Sequence, residues 1–277
     1  MFAARLVTAA VLLAVFSGAL LLLPNEYWGA VLLAGLVIAS LEWAALAGYR
    51  HAGRWLFGAV VFVSGLALLL GFRRTAGAVE ASAQLHLFVY WISAAFWLLL
   101  APAWLCGKWR IRNPVVMGVA GWIVLVPAWL ALTALQTGPG RLLMLLGVVW
   151  IADSAAYVFG RRFGRHRLAP RISPGKTWEG VIGACIAVAV YYAFVWFIFA
   201  AQQAPTWPGG MILFAAVTVM SVQGDLFESW IKRQAGVKDS GTLFPGHGGM
   251  LDRIDGLTAS MPLAALWLHY LDSPGLI

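Results

Sequence analysis

Almost every charge in this chain lies in the gaps between apolar runs of about twenty residues, and that alternation leaves few architectures open. An α-helix rising 1.5 Å per residue needs ~20 apolar residues to cross ~30 Å of hydrocarbon. Such runs fall at about 4–23, 28–47, 55–72, 85–105, 114–135, 142–160, 180–201, 209–227 and 256–271. The expected fold is therefore all-α, a polytopic integral membrane protein with about nine transmembrane helices. Composition agrees, because 11% of residues are charged against roughly 25% in soluble domains. The first run follows a lone Arg5 and is expected to be a retained span, since it is long for a signal sequence and no small-residue cleavage site precedes Pro24. The last is short and contains Pro262, which suits a tilted helix that begins near Leu251.

The 19 Lys and Arg residues supply an orientation. Assigned to alternate sides of nine spans, sixteen fall on one side and only Arg73, Arg74 and Arg141 on the other. The positive-inside rule then puts the N-terminus and the loops after the sixth and eighth spans in the cytoplasm, with a bacterial inner membrane the expected location. The formal charge of +8 is explained by these loops, and no nucleic acid is needed to account for it. Cys106 and Cys185 show no metal-ligand spacing and are expected to be inert buried thiols. Trp28, Trp43, Tyr49, Trp55, Trp104 and Trp109 fall near span ends, where an interfacial aromatic belt is expected. Residues 1–72 carry three spans and no chemical motif; helix packing or a homodimer contact is their expected role. Glu42, near the end of the second span, is expected to make a helix contact or to snorkel.

Residues 73–277 carry the chemistry, concentrated between positions 153 and 255. Asp225 and Glu228 share a helical face, with Ser229, Lys232 and Arg233 continuing the same helix. A loop with Lys238 and Asp239 leads through a Pro-Gly-His-Gly-Gly turn at 245–249 to a second pair, Asp252 and Asp255. Carboxylates flanking bases suit Mg²⁺, which takes oxygen ligands and is usually shared with substrate phosphates. Lys232, Arg233, Lys238 and Arg253 can carry phosphate charge. Asp153 sits about 10 Å inside the sixth span, deep enough to require a cavity, a cation or a basic partner. Of the six bases from Arg161 to Lys176, Arg161, Arg162 and Arg165 serve orientation and head-group attraction, and His166 among them reads as a surface residue. Lys176 and Thr177 differ, because they precede a helix whose first N–H groups can face an anion. They lack the upstream glycine of a P-loop. His247, between glycines, can ligate a metal, contact phosphate or serve the turn; a hydrogen bond to phosphate is preferred, since a phosphate nucleophile is already ionised.

The stretch Ser229 to Asp255, SWIKRQAGVKDSGTLFPGHGGMLDRID, resembles the full signature of the phosphatidate cytidylyltransferase (CDP-diacylglycerol synthase) family. Ser173 to Thr177 with Glu179-Gly180 resembles a second stretch of the same family. The resemblance implies transfer of CMP from CTP to phosphatidate, releasing pyrophosphate, with Mg²⁺ as cofactor. Carried over by position, it implies catalytic roles for Asp225, Lys232, Lys238, Asp252 and Asp255, with Asp225, Asp252 and Asp255 as cation ligands. Substrate contacts would come from Ser173, Lys176, Thr177, Ser229, Arg233, His247, Gly248, Gly249 and Arg253. Two other classes stay open at this point. A CTP-dependent polyprenol kinase resembles the family in parts of the same region but is opposed by the intact signature. A transporter would be expected to carry an inverted copy of the acid-rich segment, and no such copy is visible.

Overall fold

The computed structural model describes residues 15–71, 76–199, 207–244, 246 and 248–272. A helical stretch, α1, is described over residues 15–22. It is followed by α2 (Asn25–Leu46), α3 (His51–Gly71), α4 (Ala76–Ala95), a π-helical turn (Phe96–Leu100), α5 (Ala101–Gly107), α6 (Pro114–Leu135) and α7 (Pro139–Phe163). The strands β1 (Arg167–Ala169) and β2 (Ser173–Thr177) form an antiparallel hairpin, and α8 (Trp178–Phe199), α9 (Trp207–Ala235) and α10 (Leu251–Asp272) complete the order. Seven of the described helical runs are long and apolar enough to cross a membrane, and they coincide with the second to eighth expected spans. The first expected span lies largely outside the described residues. The ninth corresponds to α10, of spanning length but more polar because Asp252, Arg253 and Asp255 occupy its first turns.

α6 is the central helix, and indole N–H groups fasten α2 to it. Trp28 Nε1 donates to the Leu132 carbonyl at 3.0 Å, Trp43 Nε1 to Met117 at 2.8 Å, and Trp129 of α6 returns the contact to Gly29 at 3.0 Å. Asn25 adds bonds to the Thr133 carbonyl (2.7 Å) and to Gln136 Oε1 (2.9 Å). The expected interfacial belt is corrected here. Trp28, Trp43 and Trp104 are fully buried, because in a bundle interior an indole fills volume and a neighbouring carbonyl takes its N–H. Trp55 and Trp109 are exposed, as the belt requires. The expectation of buried thiols is corrected as well: Cys106 in α5 and Cys185 in α8 are both free and exposed.

Two close helix crossings set the positions of the chemical residues. At the α7–α8 crossing a Cβ added to Gly180 would lie 2.7 Å from the Ala156 carbonyl, and one at Gly183 would strike Phe159. At the α9–α10 crossing a Cβ on Gly224 would strike the Asp255 carbonyl, so the acid-bearing turns of both helices meet. The run Ala83–Gly107 widens into its π-turn for a covalent reason. Ala101 N–H bonds back to Phe96, and Pro102 has no N–H to offer, which leaves the Trp97 carbonyl over. Gln223 Nε2 of α9 donates to that carbonyl and pins α9 against the turn.

The crossings predict a stability difference between glycines. Gly180→Val should lower the thermal midpoint of the detergent-solubilised protein by an amount equivalent to about 1–3 kcal/mol, the usual cost of overpacking. Gly140→Ala, in α7 with open space around it, should leave the midpoint unchanged or slightly raised. Equal midpoints for the two variants in a thermal-shift assay would contradict the crossing.

Candidate active site

Asp225, Glu228, Ser229 and Lys232 lie at i, i+3, i+4 and i+7 on α9, one stripe of a continuous helix. Lys232 is 8% exposed, a burial that an ammonium tolerates only with partners. Asp252 Oδ1 lies 2.5 Å from its Nζ and Glu228 Oε1 3.4 Å. The second Asp252 oxygen accepts from the backbone N–H groups of Ser240 and Gly249, each at 2.8 Å, and is 2.9 Å from Ser240 Oγ. Asp252 stands at the loop end of α10, outside the seven apolar spans. Burial alone would raise its pKa, but the Lys232 hydrogen bond and the two N–H donors outweigh it and hold the carboxyl below its usual range. Separating such a pair by removing one partner costs about 3–5 kcal/mol, because a buried charge is stranded.

α9 ends in a Schellman motif. Gly236, at φ +76°, donates to the Arg233 carbonyl and Val237 to that of Lys232. From Gly236 the chain returns toward the start of α10, and a bridge joins Phe244 to Gly248. Gly248 also has positive φ, at +84°, and a Cβ there would strike Asp252.

The hairpin brings a second lysine to the same place. Lys176 Nζ lies 2.5 Å from Asp225 Oδ2 and 3.4 Å from the Val222 carbonyl, joining β2 to α9. Arg233 Nε bonds the Ile172 carbonyl at 3.3 Å, and Arg167 Nη1 bonds that of Pro174 at 2.6 Å. Thr177 is buried as the cap of α8, its Oγ1 accepting the Gly180 N–H at 3.1 Å. Asp153 of α7 is exposed, with the charges of Asp225 and Lys176 beside it. Asp255 faces Asp225, Asp153 and Glu228.

Behind the stripe is a small chamber lined by Trp43, Trp97, Phe227, Glu228, Asp255 and Thr258 among others. Glu228 is 5% exposed and neither of its oxygens receives a hydrogen bond; the Trp97 indole N–H on the same wall is also without an acceptor. Five carboxyl groups (Asp153, Asp225, Glu228, Asp252, Asp255) thus share a region with two ammonium groups (Lys176, Lys232). That excess calls for protons or a further cation. The carboxylates with capacity to spare are those of the α7–α9–α10 junction, whereas Asp252 is saturated by Lys232, Ser240 and Gly249. Among the described residues, no three His, Cys, Asp or Glu side chains converge closely enough to hold a metal unaided.

Of the residues singled out from the sequence, Lys176, Asp225, Ser229, Lys232, Asp252 and Asp255 meet here, with Ser229 Oγ 3.2 Å from Asp225 Oδ1. Gly249 contributes its N–H, and Ser173 sits in the hairpin paired with Ala169. Lys238 and Arg253 are exposed, and His247 lies outside the described residues. His166 is a surface residue as expected, with Nδ1 2.6 Å from Glu179 Oε1. Sequence reasoning placed Glu228 on the right face but left it out of the site, although its spacing from Lys232 at i+4 was a usable signal. The contribution of Glu42 and Ser240, which share a hydrogen bond of 3.0 Å, carried no signal in local spacing.

Comparison with known proteins gives the family. Residues 3–271 match the model of the Cytidylyltransferase family. A phosphatidate cytidylyltransferase of Pseudomonas aeruginosa is 37% identical over 268 residues, 95% of this chain and 96% of the relative. One from Brucella suis is 38% identical over 82% of this chain and 78% of its own length. One from Haemophilus influenzae is 48% identical over 133 residues, 47% of this chain and 46% of that protein. With the family match spanning nearly the whole chain and the acid-lysine stripe lying within it, this protein is a member of the cytidylyltransferase family.

Proposed function

We propose that this protein transfers CMP from CTP to phosphatidate, forming CDP-diacylglycerol and pyrophosphate, at the cytoplasmic face of a bacterial inner membrane. The observation that carries the reading is the pair of lysines, Lys176 and Lys232, each held at 2.5 Å by a carboxylate at the edge of the apolar spans. The relatives' shared name supports the substrates, and neither a polyprenol kinase nor a transporter is favoured. The excess of Lys and Arg on one side of the spans supports the orientation.

In the proposed reaction an oxygen of the phosphatidate phosphate forms a bond to the α-phosphorus of CTP. The bond from that phosphorus to the bridging oxygen of the β-phosphate breaks, and pyrophosphate leaves with the electron pair. The attacking phosphate is already ionised at neutral pH, so no side chain has to remove a proton. Lys176 and Lys232 exchange part of their carboxylate contact for phosphate contact, which gathers charge on the attacked and leaving groups. Arg233, Ser173 and the Gly248 N–H are further phosphate donors, Gly249 gives its N–H to Asp252, and Ser229 orients Asp225. Mg²⁺ suits the carboxylate excess: Asp225, Asp255 and Glu228 would hold it only together with substrate phosphate oxygens, and it would supply Lewis-acid neutralisation of phosphate charge. Asp252, assigned to the cation from sequence, is better suited to holding Lys232.

Two outcomes are expected. Purified protein given labelled CTP, phosphatidate and Mg²⁺ should yield a CMP-bearing lipid and pyrophosphate, with no product when phosphatidate is omitted or EDTA is added. Transfer of the γ-phosphoryl group of CTP to a polyprenol with release of CDP, and no reaction with phosphatidate, would contradict the proposal. Asp225→Asn and Lys232→Ala should each lower kcat by about 10²-fold or more. Higher Mg²⁺ should partly restore Asp225→Asn and leave Lys232→Ala unchanged; near-normal turnover in both would remove the stripe from the chemistry.

A further inference from the structure

The first turn of α10 and the loop before it are held by a carboxylate from the other end of the sequence. Glu42 of α2 accepts the Met250 N–H on Oε1 and the Leu251 N–H on Oε2, both at 2.9 Å, and its Oε2 lies 3.0 Å from Ser240 Oγ. The opening N–H groups of a helix have no partner within it, and a local Ser, Thr, Asp or Asn ordinarily supplies one. Met250 cannot do so, and Glu42 takes that role across 208 residues. The turn is shaped to admit it: a Cβ on Gly241 or on Gly249 would come within 2.5 Å of a Glu42 oxygen. Trp43, the next residue, is anchored to the Met117 carbonyl, so α2 is fixed while Glu42 reaches the loop.

Ser240 joins this cap to the lysine. Its hydroxyl lies 3.0 Å from Glu42 and 2.9 Å from Asp252, and its one proton serves both carboxylates. Its N–H and that of Gly249 fix Asp252 Oδ2, which aims Oδ1 at Lys232. Lys232 itself is paired with Asp252 and Glu228. We propose that Glu42 is a positioning residue for nucleotidyl transfer, holding Ser240 and the α10 N-terminus at Met250 and Leu251 so that Asp252 presents Lys232 to the reacting phosphates. The inference rests on the cytidylyltransferase reading above, and it gives an N-terminal span, empty of chemical motifs in the sequence, a part in the reaction.

The test compares Glu42→Gln with Asn25→Ala in the full-length, detergent-solubilised protein, using CTP, phosphatidate and Mg²⁺. In Glu42→Gln an amide NH₂ replaces one acceptor oxygen and meets an N–H donor. Asn25→Ala loosens α2 from α6 at a point remote from the loop. The expected result is a fall in kcat per folded molecule of roughly tenfold or more in Glu42→Gln, the scale typical of residues that orient a functional group, with the KM for CTP changed by less than about threefold. Asn25→Ala should show a lowered thermal midpoint and an unchanged kcat. A kcat in Glu42→Gln less than about fivefold below that of Asn25→Ala would overturn the proposal, as would a loss expressed wholly in KM. Should Glu42→Gln not accumulate in folded form, Ser240→Ala, which removes the hydroxyl bridge between Glu42 and Asp252 and keeps both the helix cap and the backbone N–H bond to Asp252, decides by the same criterion. An inactive parent protein would overturn the cytidylyltransferase reading and this proposal with it, whereas an active parent with an unimpaired variant overturns this proposal alone.

Discussion

A buried ammonium group cannot be left uncompensated in a bundle whose outer faces meet hydrocarbon, and the arrangement around Lys232 follows from that requirement. Taking a charge from water into a low-dielectric interior costs several kcal/mol even after relaxation. The structure offsets this with a short contact to Asp252, a longer one to Glu228, and N–H donors that satisfy the far side of Asp252. Each partner creates a further obligation. Asp252 needs the Ser240–Gly249 turn, the turn needs glycines where Glu42 and Asp252 press on it, and Glu228, 3.4 Å from Lys232, has no hydrogen bond on either oxygen.

The helix packing serves the same end. Gly224 lets α9 and α10 approach until the Asp255 backbone lies against α9, and the α7–α8 glycines bring Asp153 and the hairpin lysine to the same level. Pro102 forces the π-turn that frees the Trp97 carbonyl, and Gln223 uses it to fix α9 two residues before Asp225. A site assembled from α7, β2, α9 and α10, and braced by α2, is thus specified by small residues and backbone groups as much as by its charges. Rigid placement of this kind is what phosphoryl-group chemistry requires, since stabilisation of developing charge is effective only when its donors need not reorganise.

Much of this was legible in the sequence, for identifiable reasons. Apolar runs report spanning helices directly, because bilayer thickness fixes their length, and seven expected spans reappear with small boundary shifts. The Asp225–Lys232 stripe was readable because helical periodicity puts i, i+3, i+4 and i+7 on one face. The tryptophans misled, since position near a span end does not say whether an indole points to lipid or to a neighbouring helix; Trp28 and Trp43 turn inward to carbonyls of α6. Asp252 looked like the equal of Asp225, yet its surroundings are set by a turn whose shape depends on Ser240 and Gly249. The cap from Glu42 joins residues 208 positions apart, and no local pattern encodes such a contact.

The central proposal is that the carboxylate excess beside Lys232 is matched by a divalent cation when the nucleotide binds. It is tested most directly by titrating Mn²⁺ into the solubilised protein with CTP and following the paramagnetic resonance signal of the free ion. The account predicts tight, stoichiometric loss of free Mn²⁺ beyond that bound by CTP alone, abolished or strongly weakened in Glu228→Gln. The same free-ion signal with and without protein, or identical binding in Glu228→Gln and the unaltered chain, would contradict it.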